Sequence, residues 1–148
     1  MIAIGCDHAG YKAKQEIIKY FDKNNVQYKD FGTFNEDSCD YPLFAKAVAD
    51  SVAKKESDKG IIVCGSGIGV SIAANKVNGI RAALCYDPKL AEMARKHNNA
   101  NVLCLAGRYS SFTTILDIVK IFLKTNFEGG RHQKRIEQII DIENCKNN

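Results

Sequence analysis

The chain has 148 residues, 45% of them hydrophobic, and a formal net charge of +4. That length and apolar content suit one globular domain, spanning 1–148, with a core that needs no disulfide or metal staple, and the longest apolar runs fall far short of the roughly 18 residues of a membrane span. The lysines are dispersed without a basic run or interleaved aromatics, which argues against a nucleic-acid groove, and the opening Met1-Ile-Ala-Ile-Gly-Cys-Asp-His8 lacks the basic and apolar regions of a secretion signal, so a cytoplasmic location is expected.

Short apolar runs alternate with longer helical patterns along the chain. Residues 1–6 read as a first strand, followed by Asp7-His8-Ala9-Gly10 and a helix over 11–25, in which Ala13, Ile17, Ile18 and Phe21 mark one face. Residues 26–31 read as a second strand, and the polar stretch 32–40 leads to a helix over 41–55. A third strand, 60–64, runs into Gly65-Ser-Gly-Ile-Gly69 and a helix over 68–77. A fourth strand at 80–85, a helix over 88–97, a fifth strand at 101–106 and a helix over 111–124 complete the alternation. Each strand is short and mostly apolar, as buried parallel strands are. Right-handed crossovers then require an α/β fold, a three-layer α/β/α Rossmann-like sandwich around a five-stranded parallel sheet, with the strand order left open. Beyond it come Phe127-Glu-Gly-Gly-Arg-His132 and a last helical stretch over 133–143 with no strand after it. Residues 127–148 therefore form an arm, which either caps its own domain or reaches a partner.

In open α/β sheets ligands bind beyond the carboxyl ends of the strands. Asp7 and His8 follow the first strand there, Cys64 ends the third, Asp87 follows the fourth, and Arg108 follows the fifth. Asp7 also suits a helix N-cap. The six cysteines form no CxxC pair and read as free thiols, and His8, His97 and His132 lack zinc-ligand spacing, so no metal is expected. Cys6, Cys85 and Cys104 end or line buried strands and read as small hydrophobes. Cys64 differs. It precedes a glycine loop and a helix N-terminus, which expose a sulfur and favour its thiolate. The loop is not a nucleotide fingerprint: it lacks the Gly-Lys-Ser/Thr end of a Walker A motif and the third glycine of a dinucleotide motif, although Asp87 stands where a ribose-binding acid would. His97 by itself suits the C-terminal end of a helix. Arg131 and Arg135, four residues apart, can point the same way and clamp a phosphate.

Taken together, Gly5-Cys-Asp-His-Ala-Gly10, Asp40-Tyr-Pro42, Cys64-Gly-Ser-Gly-Ile-Gly69 with Ser71-Ile-Ala-Ala-Asn-Lys76, Gly79-Ile-Arg-Ala-Ala83, His97-Asn98 and Phe127-Glu-Gly-Gly-Arg-His132 resemble the ribose-5-phosphate isomerase B family, nearly end to end. That family also includes allose-6-phosphate and galactose-6-phosphate isomerases. Ser66 stands where the family often has threonine, and keeps the hydroxyl; Leu43 stands where aspartate is frequent. The resemblance implies an isomerase that needs neither cofactor nor metal, acts on a small-molecule sugar phosphate through a cis-enediolate, and works as a homodimer. It implies Cys64 as the proton-transfer base, His97 as the ring-opening group, and Asp7 and Ser66 as handlers of hydroxyl protons. Gly65, Ser66, Gly67, Ile68 and Gly69 would hold the enediolate, and Tyr41 and Asn98 would lie near the sugar. His8, Arg108, Arg131 and Arg135 would hold the phosphate, the last two reaching the neighbouring subunit's site. The competing class is a non-enzymatic sugar-phosphate or nucleotide binding domain, which would use the same loop without needing Cys64.

Overall fold

The computed structural model describes residues 1–145; the last three residues of the expected arm, 146–148, lie outside the described residues. The apolar runs become five parallel strands, β1 (Ile2–Cys6), β2 (Tyr28–Asp30), β3 (Lys59–Cys64), β4 (Ala82–Leu84) and β5 (Val102–Ala106), in the order β2-β1-β3-β5-β4. Between and after them lie α1 (Tyr11–Lys23), α2 (Tyr41–Ala53), α3 (Ile68–Ala74), α4 (Pro88–Asn98), α5 (Phe112–Lys124) and α6 (Arg131–Cys145), with a 3-10 turn at His8–Gly10. Among the described residues no helix is long and apolar enough to cross a membrane.

The period of two along each strand sorts side chains onto two faces. Ile4, Ile61 and Leu103 stand in register across β1, β3 and β5 and pack with Ile17 and Phe21 of α1, Ala91 of α4 and Ile118 and Phe122 of α5. Ala3, Ile62, Cys64, Val102 and Cys104 point the other way, onto Ala45, Val48 and Ala49 of α2 and Val70 and Ala74 of α3. Both faces of the three central strands are covered, which is why these segments carry almost no polar residue.

The edge strands are shorter than their apolar runs predict. Spacing suggests 26–31 and 80–85, yet the Val26 N–H turns back to the Phe21 carbonyl at the end of α1 and the Ile80 N–H to the Val77 carbonyl. Those donors close the preceding helix and turn, so they are lost to the ladder. The β2 edge is held instead by a buried cation: Lys14 is fully enclosed and donates to both carboxylate oxygens of Asp30, at 2.6 and 2.7 Å, and to the Thr33 carbonyl at 2.7 Å.

The final helix begins at Arg131, two residues earlier than the sequence pattern suggests, and buries only His132 and Ile136. Its first turns pack on α4 and its last turn reaches Gly79, whose N–H donates to Glu143 at 2.9 and 3.0 Å. Ile139, Ile140 and Ile142 stay exposed.

Candidate active site

The order β2-β1-β3-β5-β4 puts the point where the strand order reverses between β1 and β3, where open sheets form a crevice. Backbone bonds stitch its floor together. The Asp7 N–H reaches the Val63 carbonyl at 3.2 Å, Gly107 N–H the Cys64 carbonyl at 2.8 Å, and Arg108 N–H the Gly65 carbonyl at 3.0 Å. A cavity of about 560 Å³ opens above them, lined by Asp7, His8, Ala9, Tyr41, Cys64, Gly65, Ser66, Ile68, Gly69, Ile72, Arg108 and Tyr109.

Several of the polar groups there are fixed by neighbours. Asp7 is buried and accepts from the Gly10 N–H at 3.0 Å, so the N-cap role read from sequence and a place in the cavity coexist. His8 Nδ1 accepts the Cys39 N–H at 3.3 Å, which assigns the proton of the neutral ring to Nε2. Ser66 Oγ accepts the Ile68 N–H at 3.2 Å, while the Tyr86 hydroxyl donates to the Ser66 carbonyl at 3.0 Å. Gly67 adopts φ 75°, a left-handed turn that a side chain would strain, and this aims its N–H at Cys64 Sγ, 3.1 Å away. Gly67 consequently serves the thiol and does not line the cavity.

The buried thiols divide by the direction of their hydrogen bonds. Cys6 and Cys85 donate to the carbonyls of Thr33 and Ala83, and burial pushes their pKa values up to about 12 and about 11. Burial also raises Cys104. These three are inert small hydrophobes, as their strand positions imply. Cys64 instead accepts a backbone N–H, and it lies on the cavity wall.

The remaining expected residues are elsewhere. Asp87 caps α4 by accepting the Leu90 N–H at 3.0 Å, and α4 runs back from the carboxyl edge for 11 residues, about 16 Å at a helical rise. His97 and Asn98 therefore finish at the amino edge, far from Cys64 of the same chain, and the nucleotide reading loses its ribose acid. Arg131 and Arg135 stand on the first turns of α6, close enough to act electrostatically on His132 of the same helix. Asn98 borders a second groove of about 590 Å³ between α6 and the start of β4, whose lining contains no thiol or imidazole. Among the described residues no carboxylate comes within ion-pairing distance of Arg108, Arg131 or Arg135. Three guanidiniums are left for an anion.

Sequence spacing misses two groups at this second location. The histidines, which look scattered, include a pair that meet: the rings of His97 and His132 stack with centroids 4.2 Å apart, and Glu128 Oε2 lies 3.8 Å from Nε2 of each. These three residues could hold a metal ion, their ligand atoms all falling within 4.8 Å of one another. The available signal was the Phe127-to-His132 segment, whose Glu128 and His132 are four residues apart.

The family described as Ribose/Galactose Isomerase matches residues 2–139. The chain is 44% identical over 146 residues to ribose-5-phosphate isomerase B of Escherichia coli strain K12, covering 99% of this chain and 98% of that protein. It is similar to the structure of Clostridium thermocellum ribose-5-phosphate isomerase B, with a TM-score of 0.97, 48% identity and 98% of both chains covered. It also superposes on Mycoplasma genitalium ribose-5-phosphate isomerase B with bound ribulose-5-phosphate, at a TM-score of 0.93 and 46% identity over 97% of this chain and 95% of that one. A thiol-bearing glycine loop at the switch point of such a sheet, matched along nearly its whole length, places the chain in the ribose/galactose isomerase family.

Proposed function

We propose that this protein interconverts ribose 5-phosphate and ribulose 5-phosphate, with Cys64 as the base. The observation that carries this reading is the Cys64 sulfur, set on the cavity wall and accepting the Gly67 N–H. The thiolate removes the proton from C2 of the open aldose; the electron pair forms the C1=C2 bond and charge collects on O1. The O2 proton passes to O1, and as C2=O forms the same thiol returns its proton to C1, which leaves a ketose and restores the thiolate. Asp7 and Ser66 line the cavity where the hydroxyl protons must move. Backbone N–H groups of the 65–69 loop other than those of Gly67 and Ile68, which are held by Cys64 and Ser66, would meet the developing charge, and donors of this kind are each worth about 3 kcal/mol. With that stabilisation in place the scheme requires no metal.

His8, with Nε2–H as its free donor, and Arg108 supply phosphate contacts from the same chain. One chain alone leaves the site without His97, Asn98, Arg131 and Arg135, which sit together at the opposite edge of the fold. A homodimer in which the amino edge of one subunit covers the cavity of the other would complete it, and two-fold symmetry would make the exchange reciprocal. His97 would then open the cyclic sugar, a task suited to an imidazole near neutral pH.

Cys64→Ala tests the assignment. Isomerisation should fall by at least a thousandfold while a phosphorylated sugar acid resembling the enediolate still binds; turnover within tenfold of the unaltered protein would refute the base. Assays with ribose 5-phosphate and allose 6-phosphate side by side distinguish the five-carbon reading from a six-carbon one. A binding domain would turn over neither.

A further inference from the structure

Glu128 and His132 have no part in the reaction above, yet the fold brings both to His97. The Glu128 N–H donates to the Lys96 carbonyl at 3.1 Å and the His132 N–H to the Gly129 carbonyl at 3.1 Å, so the segment is fastened to the end of α4 before α6 begins. This seats the buried His132 ring face to face with His97, the planes only 12° apart. Both Nε2 atoms then address one carboxylate oxygen of Glu128 at equal distances of 3.8 Å. The trio is compact enough for a cation, but stacked rings send their nitrogen lone pairs out side by side, whereas a metal needs them to converge on one point. Two imidazoles this close repel when both are charged, and a carboxylate at their shared edge favours a single charge.

We propose that Glu128 and His132 are positioning residues for His97: the stack fixes its ring plane, and the shared carboxylate holds the Nε2 edges of both rings on one side. This rests on the reading of His97 as the ring-opening group. The other charges around the pair are Lys96 and Glu92 on α4, joined at 2.6 Å, and Arg131 and Arg135 on α6, with Lys96 also 3.9 Å from Glu128. Burial, and after it the neighbouring His97, Arg131 and Arg135, lower the His132 pKa below the ordinary histidine range, while Glu128 acts in the opposite sense.

Titration of the imidazole ¹⁵N signals in the unliganded protein tests this without any substrate. The two rings should titrate as a coupled pair, each signal responding as the other ring is protonated; Glu128→Gln, which removes the shared negative charge, should move that titration to lower pH, and His132→Phe, which keeps the stack, should leave His97 with one simple curve. Two independent curves unmoved by Glu128→Gln would overturn the proposal, as would stoichiometric zinc binding both ring nitrogens at micromolar concentration. A kinetic comparison adds a second arm. Glu128→Gln should lose about tenfold on cyclic ribose 5-phosphate, a fraction of what an acid–base group contributes, and stay within twofold on a sugar phosphate too short to form a ring. Equal losses on both substrates would reject a role through His97. If His97→Ala itself fails to separate the two substrates, the ring-opening reading falls, while the coupling seen by titration is judged on its own.

Discussion

The ring of Tyr41 lies directly on Gly69: a methyl group added at position 69 would stand 2.6 Å from Tyr41 Cζ and 2.7 Å from Cε2. The first residue of α2 therefore rests on the first turn of α3, and together they form one wall of the cavity. Gly69→Ala must push the ring off this seat and into the space proposed for the sugar. We expect kcat/KM to fall by about tenfold or more, with most of the loss in KM, and we expect Tyr41→Ala to recover part of it in the double variant. A double-mutant cycle checks this; additive losses would show that the contact does not govern the cavity.

The separation of Cys64 from His97, Arg131 and Arg135 predicts complementation between damaged subunits. Cys64→Ala and the double variant Arg131→Ala, Arg135→Ala should each be nearly inactive. After they are unfolded, mixed and refolded together, random pairing should leave about a quarter of all pockets undamaged, because one pocket of each mixed dimer inherits both lesions and the other neither. Cys64→Ala mixed with His97→Ala should behave in the same way on cyclic substrate. Efficient mixed pairing without recovered activity would place all these residues in one subunit's site.

Alkaline stability follows from the buried thiols. Cys6 and Cys85 have folded pKa values raised from 9.0 to about 12 and about 11, so the unfolded chain loses these protons first. Their stabilising contribution is complete below pH 9 and is lost as pH rises toward 12. Urea midpoints should be level from pH 7 to 8.5 and fall by pH 10.5. In Cys6→Ala the fall should be shallower, whatever that variant's stability at pH 7, and an unchanged slope would contradict the burial of this thiol.

Chelators should leave the isomerase untouched. In the proposed reaction the loop N–H groups and the guanidiniums would supply the stabilisation that a metal gives elsewhere. Exhaustive treatment with EDTA followed by assay is sufficient, and activity lost to it and restored by one divalent ion would require a different account of the enediolate.

Much of this protein was determined by local sequence. Alternation of apolar runs with amphipathic segments sufficed for five parallel strands and their helices, because burial on both sides demands unbroken apolar strands at the centre of the sheet. The period of two then decided that Ile61 and Val63 would face α1, α4 and α5 while Cys64 faced α2 and α3. Residues just past β1, β3 and β5 were legible as a crevice for the same reason, since all parallel strands end on one edge. What local pattern could not determine was anything that depends on where helices finish. The strand order, the shortness of β2 and β4, and the stacking of His97 on His132 from elements more than 30 residues apart are set by tertiary packing. So is the division of the expected site into two groups. His97 and Asn98 enter the expected site only through the family resemblance; a helix that starts at the carboxyl edge must end at the amino edge, and the length of α4 carries them there.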